Sequence, residues 1–483
     1  MLAWKRRVWQ SSLKQCTTCS RRLVQTSTSL SRGDVVSGLA KRGLLQQCSS
    51  PNLSAFLAST RTTVYTGLDP TATSLHVGNL LPLIALLYFQ AQGHQTIALV
   101  GGATGSIGDP SGRSTERNAL DPETLRNNVK AIDRQLCKVF ENARKYMEKR
   151  GAHGVTESEI RPVKVLNNFD WFRDIGVLEF LSDVGRLARV SVMLSRESVR
   201  SRLDSPEGIS FTEFSYQLLQ AYDFYYLFLK ERCRVQIGGS DQWGNIMAGM
   251  DVIKRKTGRP EMQAIDSDIE RDPAAFGLTI PLVTTATGEK FGKSAGNAVW
   301  LDENLVSHYD FYQFFRRTPD SEVQKYLRYF TFLREEDIEK LMVQHTVTPE
   351  KHIPQRTLAR EVTELVHGDE AAYKAQIMAE VLFDGNLAET RGIDVLAAFS
   401  GDDRLAELRR TAVIGTDIVQ VALACGAVKS KSAGRKLLAS GGLYLNNVKV
   451  SPSGKVLEEE DLLDGVIILI RTGKSNHRVV KVV

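Results

Sequence analysis

The stretch Tyr65-Thr-Gly-Leu-Asp-Pro-Thr-Ala-Thr-Ser-Leu-His76-Val77-Gly78-Asn79 sets the fold of this chain. Thr62 to Leu68 reads as a buried strand, a turn rich in Pro and Thr follows, and Leu75 to Gln92 carries the apolar spacing of a helix. Thr96 to Gly101 is then a second strand, ending in Gly101-Gly102. Strand, helix and parallel strand in so short a span make a βαβ crossover, the unit of a doubly wound sheet. The start of such a helix presents unpaired N–H groups and a partial positive charge, which suit phosphate. Gly78 removes the side chain that would hold a nucleotide off the backbone. Alone, the motif is equally a histidine capping a helix. Pro82 lies inside the expected helix. If the helix begins near Val77, Pro82 leaves the Gly78 carbonyl unpaired and bends the axis there, a change expected to be tolerated because water or ligand can satisfy a free carbonyl beside a nucleotide site.

Outward from this unit the α/β pattern continues. Asn118 to Met147 spells a long amphipathic helix with Leu125, Val129, Ile132, Leu136, Val139 and Phe140 on one face. Residues 168–230 keep helical periodicity, and Arg234 to Gly238 returns to a strand. The first domain, residues 50–300, is therefore α/β with a helical insertion. Residues 301–405 are charged and helical and predict an all-α domain, and 414–483 mix short helices with strands at Leu443–Leu445, Lys449–Val450 and Val466–Ile470. Near the end of the first domain stands Gly288-Glu-Lys290-Phe-Gly292-Lys293-Ser294. Two lysines on a Gly-containing loop suit charge that builds on phosphorus only in a transition state; alone, they are equally a solvated basic loop. The loop lacks the P-loop spacing, and Gly105-Ser-Ile-Gly108 does not match the dinucleotide fingerprint.

Charge is unevenly placed. The 483 residues carry a net +6, yet residues 1–33 hold Lys5, Arg6, Arg7, Lys14, Arg21, Arg22 and Arg32 with no acid, so the rest of the chain is close to neutral at −1. Basic residues dispersed among Ser, Thr and apolar side chains fit a mitochondrial transit peptide; the alternative is a disordered basic arm that binds nucleic acid. The six cysteines form no disulfide framework. Cys16 and Cys19 have CxxC spacing without a second ligand pair, and the other four are scattered, as expected in a reducing compartment. No apolar run approaches the roughly 20 residues of a membrane span.

The two glycine-bearing motifs, about 210 residues apart, resemble the two signature sequences of class I aminoacyl-tRNA synthetases. Four blocks narrow the resemblance to the tyrosyl-tRNA synthetases. They are Tyr65-Thr-Gly-Leu-Asp-Pro-Thr-Ala, Ala98-Leu-Val-Gly-Gly-Ala-Thr-Gly-Ser-Ile-Gly-Asp-Pro-Ser-Gly-Arg113, Phe211-Thr-Glu-Phe-Ser-Tyr-Gln-Leu-Leu-Gln-Ala-Tyr-Asp223 and Gln236-Ile-Gly-Gly-Ser-Asp-Gln-Trp-Gly-Asn245. The family implies a Rossmann-like catalytic domain, a helical anticodon-binding domain and a small α+β S4-like RNA-binding domain. It also implies ATP with Mg²⁺ as substrate complex, L-tyrosine and tRNA-Tyr as partners, and a homodimer with Phe211 at its contact. With the N-terminal segment, it implies the mitochondrial matrix.

By that resemblance, Tyr65 and Asp223 read the phenolic hydroxyl of tyrosine, while Asp109, Tyr216 and Gln220 meet its ammonium group. Tyrosyl-tRNA synthetases are themselves the established example of such hydroxyl-based discrimination, about 10⁵ against phenylalanine. Tyr216, Gln220 and Asp223 recur at helical spacing and could share one face, although Tyr216 is also an ordinary helix-face aromatic and Asp109 before Pro110 an ordinary turn residue. His76 and Thr71 hold the γ-phosphate, with Lys290, Lys293 and Arg117 on the phosphate chain. Thr66 and Asp241 address the ribose, Gly78 and Gly239 admit the backbone, and Leu282 and Val283 contact adenine. Gln242 orients the attacking carboxylate, and Asp69 lies near the α-phosphorus. The sequence departs from the family pattern at Asn79, where the first signature ends in histidine, at Phe291 and Gly292 in the second, and at Thr66, often Cys.

The C-terminal segment resembles an S4-type module. Residues 425–483 carry ten cations against five acids, and Lys429, Lys431, Arg435, Lys436 and Lys449 are the expected RNA contacts; a solvated basic face is the plain alternative. Two rival functions stand beside tyrosine ligation. A tryptophanyl-tRNA synthetase shares the fold, but Tyr65 and Asp223 suit a phenol. A noncatalytic structured-RNA binder could keep the scaffold, but it would not need Lys290, Lys293, His76 and Asp109.

Overall fold

The computed structural model describes residues 34–483 apart from 114, 116–119, 152–159, 207, 259–274, 284–297, 385–390 and 474–475. The basic segment 1–33 and the candidate residues Arg117, Lys290 and Lys293 lie outside the described residues. Asp34, the first described residue, caps a helix by accepting from the Val36 N–H at 3.0 Å.

The catalytic sheet has six strands in the order β1-β6-β5-β2-β3-β4. They are β1 (Gln47–Cys48), β2 (Thr63–Leu68), β3 (Gln95–Val100), β4 (Lys164–Asn167), β5 (Cys233–Gly239) and β6 (Phe276–Ile280). β2 to β6 run parallel, and β1 pairs antiparallel with β6 at the edge. The expected crossover is present: β2 and β3 pair in register from Thr63↔Gln95 to Leu68↔Val100. The chain passes from β2 to β3 and β4 on one side and then returns to β5 on the other. This reversal opens a crevice at the carboxyl ends of β2 and β5, where doubly wound sheets bind ligands.

The helices before and around the sheet are α1 (Val35–Lys41), α2 (Leu53–Ser59), α3 (Leu80–Ala91), α4 (Pro122–Arg150), α5 (Phe169–Phe172), α6 (Val177–Asp183), α7 (Val190–Leu194), α8 (Glu197–Leu203), α9 (Phe211–Lys230) and α10 (Trp243–Thr257). α3 is apolar on all sides and buried along its length, as its Leu-rich sequence requires. The expectation for Pro82 is corrected. The turn Val77–Asn79 is a 3₁₀ segment and α3 begins at Leu80, so Pro82 falls in its first turn. An N–H there has no intrahelical partner, so proline removes nothing. α4 starts at Asp121, whose carboxylate accepts from the Glu123 and Thr124 N–H groups, and ends at the left-handed Gly151.

Beyond the sheet, the helices α11 (His308–Arg316), α12 (Asp320–Phe330), α13 (Glu335–Val347), α14 (Ile353–His367), α15 (Asp369–Ala379) and α16 (Gly392–Ala398) follow without a strand among the described residues. Their apolar faces join the core formed by α3 and α4: Phe311, Phe315, Phe330 and Leu358 are fully buried in the same cluster as Leu83 and Leu136. The last unit has a five-stranded sheet in the order β7-β11-β10-β8-β9, built from β7 (Leu405–Leu408), β8 (Leu443–Leu445), β9 (Val448–Lys449), β10 (Ile467–Thr472) and β11 (Asn476–Val482). Helices α17 (Ile418–Ala424) and α18 (Lys431–Ala439) pack on it, with Val419, Leu438 and Ile470 in one buried cluster.

Candidate active site

A cavity of about 310 Å³ opens at the carboxyl ends of β2, β3 and β5. Tyr65 and Gly67 face it from β2, Leu99 and Gly101 from the end of β3, and Gln236 and Gly239 from β5. α9 contributes Tyr216, Gln220 and Asp223, which do share the cavity-facing side of the helix, and the β5–α10 turn contributes Asp241 and Gln242. Tyr65 and Asp223 are each almost fully buried.

The deep end is a chain of hydrogen bonds. Asp223 accepts from the Trp171 indole N–H at 2.9 Å and from the Asn168 amide at 3.0 Å. The same amide donates to Thr104 Oγ1 at 3.0 Å, Thr104 donates to Asp69 at 2.8 Å, and the Tyr216 hydroxyl donates to the other Asp69 oxygen at 2.8 Å. Burial pushes the Asp223 carboxyl up to about 8 against the lowering effect of its two donors, with the Asp69 charge adding to the rise. Burial, then the Asp223 charge, raises the Tyr65 hydroxyl. That hydroxyl is buried with no hydrogen-bond partner among the described residues. An orphaned donor beside a carboxylate fits a ligand hydroxyl that completes both.

A second polar cluster lies nearby. Asp109 accepts from the Ser111 N–H at 2.9 Å and from the Gln242 amide at 2.7 Å. The Asn245 amide donates to Gln220 Oε1 at 3.0 Å and approaches Gln242 Oε1 and Ser111 Oγ at 3.3 Å. The structure thus brings Asp109, Tyr216, Gln220 and Gln242 to one cavity. Asp69 lines the cavity too, and Tyr216 and Thr104 tie its carboxylate to the deep end. Gly101 permits that arrangement, because a Cβ there would run into the Asp69 carboxylate and the Thr104 hydroxyl.

The open end is built by the first glycine-bearing motif. His76 accepts from the Gly78 N–H at 3.1 Å, while Asn79 Oδ1 accepts from the His76 N–H at 3.0 Å, a reciprocal cap. Asn79 therefore spends its oxygen on the turn and keeps its NH₂ for the cavity it lines. Thr71, His76, Gly78 and Arg113 line the same end. Gly239 is also required, since a Cβ there would stand 2.8 Å from Asp241 Oδ1 and 3.0 Å from Leu282. Leu282 and Val283 line the cavity as expected. Thr66 does not line it: one residue out of phase with Tyr65 and Gly67, its side chain is buried away from the opening.

The second lysine motif falls in 284–297, but both flanks are described and both reach the first motif. Leu282 and Val283 lie in the cavity wall. On the other side, Trp300 pairs with His76, the Val77 N–H donates to the Val299 carbonyl at 2.9 Å, and the Leu301 N–H donates to the Leu75 carbonyl at 2.8 Å. The described flanks of the second motif therefore lie beside the first motif, while the lysine motif itself lies outside the described residues.

Asn168, Trp171, Thr104, Ser111 and Asn245 were not singled out from the sequence. Asn168 follows β4 directly and Thr104 follows β3, and the ends of parallel strands are where such sheets place their ligands. In the C-terminal unit, Lys429, Lys431, Arg435, Lys436 and Lys449 are all exposed, the helical cations on α18, which Ser430 caps by accepting from the Ala433 N–H.

Compared with known proteins, residues 58–384 match the family described as tRNA synthetases class I (W and Y). Residues 406–480 match the tyrosine–tRNA ligase SYY-like C-terminal domain. A mitochondrial tyrosine–tRNA ligase of Drosophila melanogaster is 42% identical over 443 residues, covering 91% of each chain. A tyrosine–tRNA ligase of Roseiflexus castenholzii is 43% identical over 451 residues, covering 93% of this chain and 99% of that protein. The structure of a C-terminally truncated mitochondrial tyrosyl-tRNA synthetase of Aspergillus nidulans superposes with a TM-score of 0.66 at 35% identity, over 72% of this chain and 94% of that one. The first match covers tryptophan and tyrosine enzymes alike, whereas the C-terminal match and these relatives favour tyrosine over the tryptophan alternative. With Tyr65 and Asp223 buried in the same cavity that the capped turn at His76 lines, and with these matches over most of its length, the chain belongs to the class I tyrosyl-tRNA synthetases.

Proposed function

We propose that Tyr65 and Asp223 hold the phenol of L-tyrosine and that Asp109, Gln220 and Tyr216 receive its ammonium group. The carboxylate then faces Gln242 and the α-phosphorus of ATP. ATP lies along Gly239, Asp241, Leu282 and Val283, with its phosphates at Thr71, His76, Gly78 and Asn79 and under Lys290, Lys293 and Arg117. A tyrosine carboxylate oxygen attacks the α-phosphorus, pyrophosphate leaves, and tyrosyl-AMP forms. A ribose hydroxyl at the 3′ end of tRNA-Tyr then attacks the activated carbonyl and AMP departs. No general base is needed in the first step, so catalysis is positioning plus stabilisation of the pentacoordinate charge. Mg²⁺ enters with ATP and neutralises phosphate charge.

The observation that carries this reading is the single cavity with an unpartnered Tyr65 hydroxyl beside Asp223 at one end and the His76 cap at the other. The acid-free basic segment 1–33 and the mitochondrial relatives support import into the mitochondrial matrix. The exposed cations of residues 429–449 support tRNA binding by the S4-like unit, and the helical region 301–405 is assigned to the anticodon stem by family analogy. Homodimerisation is supported by large apolar side chains left exposed between residues 169 and 211: Val177 at 71%, Leu178 at 80% and Phe211 at 76%. Pyrophosphate exchange with each amino acid in turn tests the central reading: tyrosine alone should support exchange, and Lys293→Ala should abolish it while tyrosine still binds. Exchange with tryptophan instead, or undiminished exchange in the variant, would refute it.

A further inference from the structure

Away from the cavity, Glu303, His308 and His367 bring three potential metal-ligand atoms within 4.8 Å of one another. Glu303 stands in the turn after the segment that pairs with Leu75 and His76, His308 opens α11, and His367 ends α14. The His308 and His367 rings lie 4.6 Å apart, and Phe311 meets the His367 ring edge-on at 4.7 Å. His308 Nε2 shares a 2.7 Å hydrogen bond with Glu303 Oε2. The second Glu303 oxygen accepts from the Lys138 ammonium of α4 at 3.0 Å.

One atom of this cluster is left over. His367 Nε2 is buried with no hydrogen-bond partner among the described residues. A buried imidazole nitrogen without a partner forfeits the interaction it would have had with water. Packing against Phe311 satisfies the ring faces and edges but not that lone pair.

We propose that Glu303, His308 and His367 form a binding site for one divalent transition-metal ion of the zinc type. Two imidazole nitrogens and one carboxylate oxygen are a usual zinc donor set, with a water in the fourth position. Binding breaks the hydrogen bond between His308 Nε2 and Glu303 Oε2: a neutral His308 exchanges its proton from Nε2 to Nδ1 through solvent, with no net proton released, and its Nε2 lone pair and the Glu303 oxygen both turn to the ion. The lone pair of His367 Nε2 gains its missing partner. Lys138 stays on the far carboxylate oxygen and orients the ligand from outside, as the second neighbours of metal sites do. The ion fastens the turn at Glu303 to α11 and α14, and through Lys138 to α4. No cysteine takes part, so Cys16 and Cys19 are separable from the site.

The full chain, stripped with chelator, tests this with Zn²⁺ for thermal unfolding and Co²⁺ for visible absorption. The expected result is one equivalent bound, a rise of a few degrees in Tm, and Co²⁺ bands of low-coordinate type without sulfur charge transfer. Glu303→Gln and His308→Gln should each weaken Co²⁺ binding at least about tenfold, with pyrophosphate exchange retained as proof of folding. Absence of stoichiometric binding to the unsubstituted chain, a sulfur charge-transfer band, or unweakened binding in either variant would overturn the site.

Discussion

At the scale of single residues, the deep end of the cavity holds functional groups at a cost to the free protein. The Tyr65 hydroxyl is buried without a partner, and such a group costs about 1–3 kcal/mol. Tyr65→Phe should therefore leave the stability of the ligand-free protein unchanged or raise it by up to about 1 kcal/mol. It should also lower discrimination of tyrosine over phenylalanine about tenfold, the worth of one hydrogen bond to a buried polar group. Denaturant unfolding beside exchange kinetics for both amino acids checks the pair, and a variant that loses stability with unchanged discrimination would make Tyr65 structural. Asp223 gives a pH signature. Its carboxyl is raised to about 8 in the folded chain, against about 3.9 when unfolded, so folding takes up a proton between those values. Its contribution is complete below about pH 3.9 and lost as pH rises through about 8. The stability of the unsubstituted chain relative to Asp223→Asn should accordingly fall across that window and flatten above it; a flat difference from pH 5 to 8 would mean that the Asn168 and Trp171 donors hold the carboxylate ionised. That Tyr65, Asp109, Tyr216, Gln220 and Asp223 gather at one cavity was legible because each lies in a sequence block that resembles the family's. Asn168 and Trp171 were not, because an amide and an indole become informative only once folding delivers them to a carboxylate.

At the scale of elements, periodicity is read well where one face is buried and poorly where an element owes its existence to a neighbour. β2, β3, β5 and α4 were legible within a few residues of their bounds, since apolar repeats mark them. β1 was not, for two residues carry no period, and Gln47 and Cys48 become a strand only by pairing with Thr279 and Leu278. The start of α3 was misjudged for a similar reason: the His76–Asn79 cap holds a 3₁₀ turn first, which moves Pro82 into the tolerant first turn. Charged side chains can also tie elements together. Arg150 at the end of α4 bonds Glu361 and Glu364 of α14 at 2.8 Å, with Glu364 only 4% exposed, and its guanidinium lies 3.8 Å from the centre of the Tyr146 ring. Removing one member of such a set leaves buried charge uncompensated. Lys149 remains on Glu364 at 3.1 Å, so Arg150→Ala should cost about 3 kcal/mol, the lower end for a broken buried pair. Urea unfolding with an unchanged m-value would report it, and a loss below about 0.5 kcal/mol would class the network with surface pairs.

At the scale of the molecule, the proposed tyrosine site and the proposed RNA contacts belong to different units of the chain. The cavity lies in the crevice of the first sheet, whereas the exposed cations Lys429, Lys431, Arg435, Lys436 and Lys449 belong to the C-terminal unit with its own apolar cluster. The +6 of the whole chain hides this division, because the segment 1–33 supplies +7 of it while the +5 of residues 425–483 is offset by acids elsewhere. Placing the charge along the chain, rather than summing it, made the cationic C-terminal unit legible. α18 turns Lys431 and Arg435 outward at a spacing of one turn and buries Gly434 against Val419 of α17 and Leu438 in the unit's apolar cluster, so both cations can be changed without touching the core. Reversing them, Lys431→Glu with Arg435→Glu, should leave tyrosine-dependent pyrophosphate exchange unchanged, since neither residue approaches the cavity. Aminoacylation should instead show a raised KM for tRNA. Each phosphate contact removed should also lower the slope of log affinity against log salt by about one, because fewer counterions are released on binding. An unchanged tRNA KM and salt slope would show that α18 faces only water. A parallel loss of exchange would show that the two ends of the molecule are coupled rather than divided.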